Sequence, residues 1–167
     1  MLSSEVAAAG WKSRCLAVGL GLVLLAGCQA RPLYGSVDGE KQSVSVSQAG
    51  SRVAQSVRNE LVLGFGGEQT EAAYQLNLSA TSTTSGILPG GTDNEFSAAR
   101  VSVTATYVLK SAATGETVKT GSRFADAQLD LPSQQFAQVR AKIEAEDRAA
   151  REVAALVRAD VVAAIAR

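Results

Sequence analysis

Histidine is missing from all 167 residues. That removes the commonest general base and the commonest zinc ligand. No G-x-S-x-G segment occurs, so no serine is offered on the sharp strand-to-helix turn that exposes a nucleophile. Any other nucleophile would need Lys or a carboxylate as its base. An envelope hydrolase is therefore the weakest of the available readings, and neither a metal nor a cofactor is expected. Charge of one sign is not in excess either: 16 Lys and Arg balance 16 Asp and Glu. A general nucleic-acid role needs a basic surplus that this chain does not carry. There are two cysteines, Cys15 and Cys28, and no visible internal repeat.

The apolar run 15–27, CLAVGLGLVLLAG, falls short of the roughly 20 residues that an α-helix needs to cross a bilayer. It fits the apolar region of a secretory signal, with Lys12 and Arg14 as its basic flank. Leu25-Ala26-Gly27-Cys28 matches the lipobox of bacterial lipoproteins. Small residues there admit the backbone to a signal peptidase, and the thiol takes the diacylglycerol. Cleavage frees the Cys28 amine for a third chain, and several acyl chains anchor a protein far more firmly than one. Gln29 follows the cysteine; it is not the Asp that commonly retains lipoproteins in the inner membrane of enteric bacteria, so delivery to the outer membrane, facing the periplasm, is expected.

Three segments follow: a signal peptide over 1–27, a lipidated tether over 28–42 and a folded domain over 43–167. Removing the signal leaves 140 residues with one net negative charge, enough for one domain with its own core. Cys15 departs with the signal and Cys28 is modified, so no disulfide is expected although the compartment permits one.

Within the domain, residues 43–47 alternate as a short strand with Val44 and Val46 on one face. Over 49–63, Val53, Val57 and Leu61 recur on one helical stripe that Ala54 widens, and Gly64, Gly66 and Gly67 stop it. A second strand is expected at 73–84. Tyr74, Leu76, Leu78 and Ala80 point inward, and Gln75, Asn77 and Ser79 point to water. Thr81–Ser85 extends it as an exposed edge, and 86–95 reads as a projecting loop. Ile87 and Leu88 in that loop either tuck beneath it or meet a partner. A third strand over 96–110 sets Val101, Val103, Ala105, Tyr107 and Leu109 against Ser102, Thr104 and Thr106. After a turn at Thr114-Gly115, a fourth strand over 116–127 carries Val118 and Phe124, with Thr120 and Ser122 between them. Ser133 is the expected N-cap of a long final helix, 133–166. Phe136, Val139, Ile143, Ala150, Val153, Val157 and Val161 or Val162 form its stripe. Arg140, Glu144, Arg148, Asp147 and Arg151 form pairs four apart on its other side. The expected architecture is an α+β two-layer sandwich in the order β-α-β-β-β-α, with a four-stranded sheet and both helices on one face.

The lipobox leading into C-Q-A-R-P-L-Y-G (28–35), the strand and helix order, and the A-x-x-D-R-A-A-R-x-V-A-like helix segment near 145–154 together resemble the LPS-assembly lipoprotein family, LptE, in its alphaproteobacterial form. The likeness spans essentially the whole mature chain and rests more on the order of its short motifs than on any one of them. It implies a lipoprotein on the inner leaflet of the outer membrane, whose domain plugs the lumen of the large β-barrel LptD. The resemblance also implies a role in assembling that barrel, in carrying lipopolysaccharide to the outer leaflet and in binding it, with no enzymatic activity. A barrel lumen is polar, which suits a sheet face of Gln75, Asn77, Ser79, Ser102, Thr104 and Thr106. The same residues are also ordinary on any wet antiparallel face. Lipid A carries phosphates, so Arg100, Lys119 and Arg123 are the candidates to contact them or acidic barrel residues; three exposed charges without such a role remain the other reading. A second function class stays open, an accessory lipoprotein of a lipid-transport ABC system.

Overall fold

The computed structural model describes residues 43–89 and 96–166. The expected signal peptide, Cys28, the expected tether 28–42 and the tip of the expected loop, 90–95, lie outside the described residues. Six elements follow in chain order: β1 (Val44–Val46), α1 (Arg52–Gly64), β2 (Tyr74–Pro89), β3 (Phe96–Ser111), β4 (Thr117–Asp130) and α2 (Gln135–Ile165). The strands form one sheet in the order β1-β2-β3-β4.

β1 pairs with β2 in parallel, Val44 against Tyr74 and Val46 against Leu76. A parallel pair needs a crossover rather than a hairpin, and α1 is that crossover. Ser51 starts α1, its hydroxyl accepting from the Ala54 amide at 3.1 Å. Val53, Ala54, Val57 and Leu61 make its buried stripe. The helix ends through glycine: Gly66 and Gly67 have φ of 92° and 116°, which only Gly adopts without cost, and the Gly67 amide closes onto the Val62 carbonyl at 2.8 Å. Arg58 lies buried beneath this turn. Its Nε donates to the Ser47 carbonyl at 3.0 Å and its guanidinium pairs with Glu68, so the β1–α1 link is tied to the helix end.

β2, β3 and β4 form an antiparallel meander. The odd-numbered residues of β3, Val101 to Leu109, are all buried, whereas Thr104 and Thr106 are exposed. Both helices lie over the odd face, and the even face is open. The β3–β4 turn forms as expected, with Gly115 at φ 71° and its amide bonded to the Ser111 carbonyl at 2.9 Å.

Four expectations are corrected. β2 does not stop before a loop at 86; it continues to Pro89, with register shifts on either side of Leu88. A bulged strand absorbs the irregular pairing that turn-forming residues such as Gly86 introduce. Ile87 is half-buried and Leu88 exposed within that strand.

In β4, Val118 and Phe124 do not contribute to the core. Both are exposed: Phe124 is in register with Thr104 on the open face, and Val118 falls at the register shift beside Lys119 and lines a hollow with Asp160 and Ala163 of α2, while Ala125, Ala127 and Leu129 are buried on the covered face.

The final helix begins at Gln135 with Gln134 as N-cap and no side-chain cap bond, so Ser133 does not cap it. The chain bends at Ser133 and Gln134, which leaves Gln134 as the N-cap, and the Gln138 side-chain amide donates to the Pro132 carbonyl at 2.8 Å.

The apolar stripe of α2 is buried only in its second half. Val153, Val157 and Val161 are inaccessible, whereas Phe136 is 77% exposed, Val139 51% and Ile143 36%. The cause is length. Arg148 stands beside Gln128, bonded to its carbonyl, and β4 ends two residues later at Asp130. That is about 7 Å of strand at roughly 3.4 Å per residue. From Arg148 back to Phe136 the helix runs about 18 Å at 1.5 Å per residue, so its first turns overhang β4.

Candidate functional site

The open face is built by register. Reading across β2, β3 and β4, Ser79 lies beside Thr106 and Ser122, and Thr81 beside Thr104 and Phe124. Thr83 then aligns with Ser102 and Asp126, and Ser85 with Arg100 and Gln128. Every second residue of three long strands thus falls on one surface, and most are Ser or Thr. Neighbouring Thr and Ser across strands also stabilise the pairing by a few tenths of a kcal/mol to about 1 kcal/mol each. Gln75, Asn77 and Ser79 join this face at the β1 end, all exposed as expected. Asp126 accepts a hydrogen bond from the Ser102 hydroxyl, and Arg100 stands 3.9 Å from the same carboxylate.

The three candidate basic residues divide between two faces. Arg100 is exposed on the open face. Lys119 and Arg123 share a face, as regular β4 geometry requires, but it is the helix-covered one: Lys119 is in register with Leu109 and Arg123 with Ala105. They sit at the outer margin of that face beside Asp160 of α2. Arg123 binds Asp160 with two nitrogens, Nε at 2.7 Å and Nη2 at 2.8 Å. The structure therefore brings Lys119 and Arg123 together and leaves Arg100 apart.

Sequence reasoning missed the acid that organises this corner. The Tyr107 hydroxyl donates to Asp160 at 2.7 Å. Its ring lies so close to β4 that a Cβ at Gly121 would fall 2.5 Å from the hydroxyl, so residue 121 must be glycine for Tyr107 to reach across. The Arg123 hydrogen bonds hold the Asp160 carboxyl below its ordinary range despite partial burial. Burial, reinforced by Asp160, pushes the Tyr107 phenol above its usual value. The available signal was Asp160, the one aspartate in the second half of the helix, set between the stripe residues Val157 and Val161.

A second polar node joins the layers. Glu146, buried, accepts from the Ser82 hydroxyl at 2.8 Å and pairs with Arg52 of α1. Asp147 accepts from Arg52 at 3.0 Å and from Ser56 at 2.9 Å. The Glu144–Arg148 pair four residues apart is present, but Asp147 turns to α1. Arg52 bridges both acids, so α1, α2 and the extended end of β2 are held as one body.

Among the described residues, no helix is long and apolar enough to cross a membrane. No family model matches this chain, and no curated protein matches it. Solved structures do. A candidate lipoprotein of Caulobacter crescentus CB15 is similar, with a TM-score of 0.62 at 21% identity over 76% of this chain and 93% of its own. A minor lipoprotein of Acinetobacter baumannii has a TM-score of 0.54 at 10% identity over 74% and 92%. Rare lipoprotein B of Shewanella oneidensis has a TM-score of 0.50 at 12% identity over 74% and 92%. At such identities the likeness concerns the fold. The class is an α+β sandwich with a four-stranded mixed sheet and two helices, and this chain shares it with proteins bearing those lipoprotein names.

Proposed function

We propose that this chain is an outer-membrane lipoprotein, acylated at Cys28 and facing the periplasm. Its domain plugs a large β-barrel of the LptD type and supports that barrel's assembly and the delivery of lipopolysaccharide to the outer leaflet. Binding of lipopolysaccharide belongs to the same reading, and catalysis does not. The observation that carries it is the open sheet face. Three strands of 14 to 16 residues align on one open surface, mostly Ser and Thr along β2 and β3 with Ser122, Phe124, Asp126 and Gln128 along β4, a largely polar face suited to the polar wall of a barrel lumen. The lipobox supplies the anchor, and the lipoprotein names of the fold's neighbours agree with it. Arg100 is the candidate for a lipid A phosphate on the open face. Lys119 is the candidate at the β4 margin, while Arg123 already spends its fork on Asp160.

Depletion of the protein tests this directly. Surface-exposed lipopolysaccharide should fall, and the barrel should migrate on gels as an unassembled form. Normal lipopolysaccharide display with a mature barrel after depletion would overturn the proposal. Recovery of the protein with inner-membrane transporter subunits instead would point to the ABC accessory role.

A further inference from the structure

The geometry points to the outer edge of β4 as a strand-addition site that takes an extended segment of the barrel partner. This rests on the proposed role as a barrel plug.

β4 pairs with β3 on one side only. Its other side presents a row of backbone donors and acceptors with no strand partner among the described residues. One carbonyl there is covered: Gln128 accepts from Arg148 at 2.6 Å. That contact also fixes the parity. A strand residue sends its N–H and C=O to the same side, so Ser122, Phe124 and Asp126 share the outward direction of Gln128. The free edge therefore runs over Thr117–Asp126.

A groove follows this edge. One hollow of about 400 Å³ lies between Phe124, Leu156 and Ala159, and another of about 160 Å³ between Val118, Lys119 and Ala163. Asp160 lines both, so the two hollows adjoin on either side of it along the margin between β4 and α2. Phe124, Leu156 and Val118 are 66%, 43% and 41% exposed, three of the large apolar side chains left in water. From Val118 to Phe124 is about 20 Å of strand, the length of an added strand of six or seven residues.

The chemistry selects the occupant. A row of amides and carbonyls is satisfied by another extended backbone, with pockets for its alternate side chains. Lys119 and Arg123 face the single carboxylate of Asp160, so the groove has one positive charge in excess and favours a segment bearing Asp or Glu. A second copy of this chain would set Lys119 and Arg123 against their own counterparts, a like-charge pairing that protects edges from self-association. The wall strands of a closed barrel have no free edge, so the segment is a loop or terminal arm reaching into the lumen.

The test uses the full acylated protein, free and co-purified with its barrel in detergent. Amide exchange at Ser122, Phe124 and Asp126 should slow by about tenfold or more in the complex, as expected for hydrogen bonds that open only locally. Ser122→Pro removes one outward N–H and is tolerated on an edge. It should leave the melting of the free protein nearly unchanged and abolish the protection at Phe124 and Asp126. A complex in which the three amides exchange as in the free protein overturns the edge assignment alone, even if Ser122→Pro fails to fold. Protection arising in the free protein together with a dimer in sedimentation overturns it in favour of a second copy. If no barrel co-purifies, the plug role and the edge assignment fail together.

Discussion

The two faces of the sheet obey different rules. At the centre of the covered face positions are constrained by their neighbours: Val101, Val103 and Ala105 are inaccessible, and even the space above Gly121 is filled by Tyr107. On the open face Thr104 and Thr106 meet solvent and each other's row partners only. One face therefore carries stability, and the other is free to carry recognition. The lesson is that in a half-buried sheet a residue's parity, more than its type, decides which role it can have. Lys119 and Arg123 mark the margin between the two: they share the covered face's parity, yet both stay exposed at its outer edge beside Asp160.

Three substitutions sharpen the contrast, beginning with the largest effect. Leu109→Ala empties a fully buried site and should cost about 3 kcal/mol, read by denaturant unfolding. Gly121→Ala forces a methyl group against Tyr107 and should cost about 1–3 kcal/mol; pairing it with Tyr107→Phe, which removes the nearest atom, should recover part of the loss. Thr104→Ala with Thr106→Ala, on the open face, should change stability by less than about 0.5 kcal/mol each while weakening recovery of the barrel. If the threonine changes unfolded the protein as Leu109→Ala does, the division of labour between the faces would be lost.

The covered face also predicts a pH signature. Asp160 has a depressed pKa, so its contribution is present above the ordinary carboxylate value, near 4, and is lost as pH falls through the lower folded value. Tyr107 has a raised pKa, so its contribution is complete below the ordinary phenol value, near 10, and declines above it. Asp160→Asn should flatten the acid limb of the stability profile below about pH 4, measured by thermal melts, and leave the neutral region lower but level. An unchanged acid limb would remove Asp160 from its organising role.

Much of the fold was legible because β2 and β3 alternate cleanly over Tyr74–Ala80 and Val101–Leu109 and α1 keeps a single stripe. β4 was harder. Its apolar residues Val118 and Phe124 are both exposed, while Lys119, Gly121 and Arg123 occupy the covered face. Alternation alone reverses such a strand, because the glycine serves Tyr107 and the basic side chains reach Asp160 at the margin. The overhang of Phe136 and Val139 was equally hidden, since a helical stripe does not reveal where its sheet ends. Arg100 was placed correctly as a strand residue. Its separation from Lys119 and Arg123 required the register.

Placing a photoreactive residue at position 104, in the middle of the open face, and illuminating intact cells tests the central claim most directly. The account predicts a cross-linked product joining this chain to a large outer-membrane β-barrel. A product with inner-membrane transport subunits, or none from position 104, would contradict it.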